Sequence, residues 1–86
     1  NPARGTVRLS LSLASPGAVR VEVFDPAGRR VRVLADGSHP AGILSLAWDL
    51  RDASGHRVRP GVYLVRARLA ATSLGRRLVV LDRGSP

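Results

Sequence analysis

The 86-residue sequence contains no cysteine, so no disulfide staples it and no thiolate can bind a metal. That absence suits an extracellular domain as well as a cytosolic one. Lysine is missing too, and all 14 basic residues are arginine. Methionine is absent even at position 1. The chain is therefore expected to be part of a longer protein, with any targeting signal upstream of the visible sequence. No signal peptide stands at its start, and no run of about 18 apolar residues could span a membrane. Aromatics are limited to Phe24, Trp48 and Tyr63, and acids to five Asp and one Glu.

What is present is a small β-forming chain. Eighty-six residues make one domain, assigned to residues 1–81, with 82–86 expected to be a flexible tail. Hydrophobic residues make up 44%, which argues against disorder, and Val, Leu and Ala dominate them. The net charge of +8 invites a nucleic-acid or anionic-surface reading. A GC-rich genome, which favours Arg, Ala, Gly, Pro and Val together, accounts for the same composition without any binding site.

The hydrophobic pattern has period 2 nearly throughout. Val7, Leu9, Leu11 and Leu13 alternate with polar residues and predict a half-buried strand. Val19, Val21 and Val23 predict the second strand. Asp25-Pro26-Ala27-Gly28 is a turn, and Arg29 to Leu34 returns from it with Val31 and Val33 inward. Asp36 to Gly42 reads as a loop. Leu44, Leu46 and Trp48 form the fourth strand, and Asp52 to Gly55 the next loop tip. Pro60-Gly61 opens a fifth strand, with Tyr63, Val65, Ala67 and Leu69 on one face. Ala71 to Gly75 reads as a weak turn and Arg76 to Leu81 as a last apolar strand. No segment has a helical period. Every strand has an apolar face that needs a partner, which predicts a small antiparallel β-sandwich of six to seven strands.

Catalytic signals are sparse. Asp49, Asp52 and His56 form the one local cluster of ionisable groups. Leu50 and Arg51 interrupt any cation-binding pattern, so the two Asp are read as caps on local backbone N–H groups. No zinc spacing, phosphate loop or nucleophile elbow is present, and no catalytic, cofactor or metal residue is assigned. Arg8, Arg20, Arg66 and Arg68 read as solvated sheet faces. Nucleic acid is not expected as a partner, because aromatics for base stacking are lacking: Trp48 and Tyr63 belong to the core. Phe24 falls on the outward face by parity, or covers the sandwich edge as a strand-end residue.

Four segments carry a family resemblance. Asn1-Pro2 resembles the opening of bacterial C-terminal Ig-like modules. Val21 to Val31 resembles their Val-Tyr-Asp-x-x-Gly-Arg-x-Val hairpin through Asp25, Gly28 and Arg29. Trp48, Asp49, Asp52 and Gly55, followed by Gly61 and Tyr63, resemble their Trp-Asp-Gly-x-Asp-x-x-Gly…Gly-x-Tyr segment. Arg76, Arg77, Leu78, Val79, Val80 and Leu81 resemble their basic, apolar final strand. Leu50 stands where the family usually has Gly, and Arg77 where it usually has Lys. The pattern is shared by the Ig-like domain of the flagellar hook-capping protein FlgD and by C-terminal sorting domains of the type IX secretion system. The resemblance implies an Ig-like sandwich without catalysis, appended to the upstream domains of a secreted or cell-surface bacterial protein. It also implies a partner in the outer-membrane secretion machinery and an extracellular or surface location, with Arg76 to Leu81 as the sorting or interaction strand. A basic module binding nucleic acid or an anionic surface, and an accessory domain of a larger extracellular enzyme, are the alternatives.

Overall fold

The computed structural model describes residues 2–3, 5–70 and 72–81. The expected tail at 82–86 and Asn1 lie outside the described residues. Seven strands follow one another: β1 Pro2–Ala3, β2 Val7–Leu13, β3 Gly17–Phe24, β4 Arg30–His39, β5 Gly42–Trp48, β6 Gly61–Arg68 and β7 Ser73–Val80. They form a five-stranded sheet in the order β1-β7-β6-β3-β4 and a two-stranded sheet of β2 and β5. The pairings are antiparallel except for β1, which lies parallel to the end of β7. The described residues contain no helix. This is the all-β sandwich that the alternating pattern demands.

A two-stranded sheet is marginal by itself and needs a packed face. Here Val7, Leu9, Leu13 and Trp48 supply that face. They meet Val19, Val21 and Val23 of β3, Tyr63, Val65 and Ala67 of β6, and Leu78 and Val80 of β7 in one buried cluster. The period-2 assignments of β2, β3, β5 and β6 therefore hold residue by residue.

Two strands run longer than the turn formers imply. β4 continues through Asp36, Gly37 and Ser38 to His39, because Gly17 to Arg20 of β3 pair with those residues and satisfy their backbone groups. The connection to β5 shrinks to Pro40 and Ala41. β7 begins at Ser73, paired with Arg68, rather than at Arg76. Register shifts between Val21 and Glu22 and between Val23 and Phe24 also break the parity of β4. Val31, Leu34 and Ala35 pack on the core, while Val33 stands opposite the outward Glu22 and is exposed. The expected inward Val33 is thus on the other face.

Candidate functional site

The motif residues gather at one end of the sandwich and build structure there. Asp25 Oδ1 accepts from the N–H groups of Ala27 and Arg29, each at 2.9 Å. Asp52 Oδ1 accepts from those of Ser54 at 2.9 Å and His56 at 3.1 Å. In each turn the glycine N–H returns to the aspartate carbonyl, and Gly28 and Gly55 take positive φ of 85° and 90°. Asp25-Pro-Ala-Gly28 and Asp52-Ala-Ser-Gly55 are one turn used twice, a shared spacing visible in the sequence. The Asp25 carboxyl is held below its ordinary value, chiefly by the Arg29 N–H and then by the charge of Arg29, against the opposing effect of burial. His56 is exposed and its N–H and carbonyl close the Asp52 turn. The aspartate cluster caps the backbone, and no group of three metal-binding side chains exists among the described residues.

Trp48 sits fully buried, with its Nε1–H donating to the Arg51 carbonyl at 2.9 Å. Arg32 Nη1 donates to the same carbonyl and to Asp49 Oδ1, both at 2.9 Å, tying β4 to this turn. Burial raises the Asp49 carboxyl, but the Arg51 N–H and Arg32 outweigh it and hold the group below its ordinary value. Tyr63 tilts against Trp48 at 57° with ring centroids 5.7 Å apart, and its hydroxyl donates to the Arg59 carbonyl at 2.7 Å. Burial first, then the nearby Asp25 charge, pushes the Tyr63 hydroxyl above its ordinary value. Gly61 comes close to Pro26, whose Cγ would lie 3.2 Å from an added Cβ. Leu50 takes the left-handed conformation at φ 61°, where the family's glycine would sit, and its side chain is fully buried.

The final strand divides its residues between two faces. Leu78 and Val80 are buried in the core. Arg77 and Val79 point to the outer face, opposite Leu64 and Val62. Arg76, opposite Val65, lines a cleft of about 290 Å³ between the open edges of β2 and β7, together with Leu9, Leu11, Leu46 and Leu74. Leu81 lies beyond the strand, and its carbonyl accepts from Arg57 at 3.1 Å. Strand β1 covers the β7 edge only at Val79 and Val80. From Ser73 to Leu78 that edge has no strand partner among the described residues.

The outer face of the large sheet is not simply solvated, as the alternation of arginines implies. Glu22, at 2% exposure, lies under a layer of arginine side chains. Arg30 and Arg68 donate to its carboxylate at 3.2 and 3.1 Å. Arg20 and Arg66 approach it at 3.3 and 3.6 Å. Burial raises the Glu22 carboxyl, but the bonds from Arg30 and Arg68 and the charges of Arg20 and Arg68 outweigh it and lower the group below its ordinary value. The Arg66 guanidinium lies over the Phe24 ring, 4.6 Å from its centroid. Phe24 is thus outward and half-buried; of the four named arginines Arg8 and Arg68 are exposed, while Arg20 and Arg66 are half-buried. Sequence proximity announces only Arg20, two residues from Glu22 on β3; Arg68 is 46 residues away.

A family model, the FlgD Ig-like domain, matches residues 1–73, the stretch that holds both Asp-x-x-Gly turns and the buried Trp48. The chain belongs to the FlgD Ig-like domain family. Its fold is similar to that of dimeric latent PorU from Porphyromonas gingivalis, at TM-score 0.77 and 22% identity over 95% of this chain and 9% of that one. It is also similar to FlgD from P. aeruginosa, at TM-score 0.68 and 31% identity over 86% of this chain and 60% of that one. FlgD from Xanthomonas campestris, described for hook capping in flagellar assembly, matches at TM-score 0.67 and 32% identity over 91% of this chain and 57% of that one. The chain spans less than two thirds of each of these proteins. No curated protein sequence matches it.

Proposed function

We propose that this FlgD Ig-like domain is a non-catalytic module of a secreted or cell-surface bacterial protein, recognised through its last strand by the outer-membrane secretion machinery. The observation that carries the reading is the open edge of β7 from Ser73 to Leu78. Unpaired backbone N–H and C=O groups there can take up an added strand, with side-chain pockets giving selectivity. The cleft beside Leu74 and Arg76 supplies such a pocket. Leu78 and Val80 anchor the strand in the core, so the presented edge is held rigid.

The test is export of a reporter carrying this module at its C-terminus in a host with type IX secretion. The reporter is expected in the medium or on the surface. Export that persists after removal of residues 76–86 contradicts the proposal.

A further inference from the structure

The guanidinium groups over Glu22 carry more charge than the face can offset. Arg20, Arg30, Arg66 and Arg68 all lie within 3.6 Å of its carboxylate. Asp36 adds one further contact, to Arg20, at 3.6 Å. A guanidinium has five N–H donors and a carboxylate only about four acceptor sites, so one glutamate cannot satisfy four arginines. The geometry agrees: Arg66 Nε is buried without a hydrogen-bond partner, and Arg20 Nε, 3.3 Å from Glu22 Oε2, makes an ion pair but no hydrogen bond. The side chains of Arg30 and Arg68 remain 49% and 50% exposed, so they retain donors that face outward. Glu22 therefore orients the forks without neutralising them.

Access is open on the β7 side. Gly75 and Ser73 stand opposite Arg66 and Arg68 and put nothing larger than a hydroxyl beside them. Arg77 extends the positive face along the same strand. Paired guanidinium forks match the oxygens of a tetrahedral anion. The one aromatic on this face, Phe24, is already covered by Arg66, so no free ring is offered to a nucleobase. We infer that this face is a binding site for a phosphoryl or sulfuryl group, held by Arg30, Arg66 and Arg68 above Glu22.

The test uses the 86-residue chain. Inorganic phosphate and then sulfate are titrated at constant ionic strength against chloride, following the arginine Nε–Hε resonances. Saturable binding is expected, with the two anions competing for one site. Arg68→Gln is expected to weaken it about tenfold, the loss of a charge-assisted hydrogen bond. Gly75→Glu retains all four arginines and sets a competing carboxylate beside Arg66. An added Cβ there meets only Leu64, at an ordinary 3.5 Å, so the fold is retained and binding should fall comparably. Vesicles of phosphatidylcholine with or without phosphatidic acid separate the sources. Uptake confined to phosphatidic acid and displaced by phosphate assigns a lipid headgroup, whereas free-anion binding without uptake assigns a soluble group. A response that chloride reproduces, undiminished binding by Gly75→Glu, or binding of single-stranded DNA that neither anion displaces overturns the inference.

Discussion

Leu50 shows how a single residue can carry opposing demands. The turn after Trp48 needs a left-handed residue, which glycine adopts freely and leucine at about 1–2 kcal/mol. The chain accepts that strain because the side chain is fully buried beside the Trp48 turn. Leu50→Ala should destabilise by about 2–5 kcal/mol through lost packing. Leu50→Gly should be more stable than Leu50→Ala by about 1 kcal/mol, the reverse of the usual order in regular structure, and still less stable than the parent. Urea unfolding of the three proteins checks the ranking. The sequence marks Leu50 as a departure from the family pattern, but a pattern does not show that φ would be kept and the side chain buried.

Glu22 makes a pH-dependent contribution whose sign is set by its arginine shell. Its carboxyl is lowered in the folded protein, so its stabilisation is complete above the ordinary glutamate value of 4.5. That stabilisation is lost as pH falls through the folded value. Glu22→Gln should lower stability at pH 7 by about 1–3 kcal/mol, because charged hydrogen bonds are replaced by neutral ones. It should also flatten the decline in stability between pH 5 and the acid limit (on the order of pH 2) relative to the parent. Thermal unfolding across that range measures both effects. Parity in β3 is enough to place Glu22 outward; its burial arises from residues on β4 and β6 that only the sheet order brings together.

At the level of elements, the alternation of β2, β3, β5 and β6 is legible because each buries one face on the core. The end of β4 and the start of β7 are not, since Asp36, Gly37 and Ser38 are all turn formers, and Ser73 and Gly75 flank the lone apolar Leu74. Pairing with β3 and β6 overrides that local preference. Neighbouring residues in an antiparallel strand point their N–H groups in opposite directions. Of Arg76→Pro and Arg77→Pro, one therefore removes a bond to β6 and should destabilise by about 1–3 kcal/mol. The other should leave the fold nearly unchanged and abolish reporter export if the open edge is the recognised element. Export that is retained by the stable proline variant would detach recognition from the edge.

At the scale of the whole molecule, the sandwich places two different surfaces on one small domain. One is the exposed edge of β7 beside the β2 cleft; the other is the arginine layer over Glu22. The resemblance carried by the basic final strand points to the first, although the family model itself ends at residue 73. The second has no counterpart in the family pattern. The turns that hold the end of the sandwich are built from Asp25 and Asp52 rather than from any catalytic group. The account rests on β7 presenting an unpaired edge, and amide hydrogen exchange along that strand tests it most directly. Between Ser73 and Leu78, alternate amides should exchange rapidly, while those facing β6 remain protected. Uniform protection of all six amides would mean that the edge is covered, and would contradict the account.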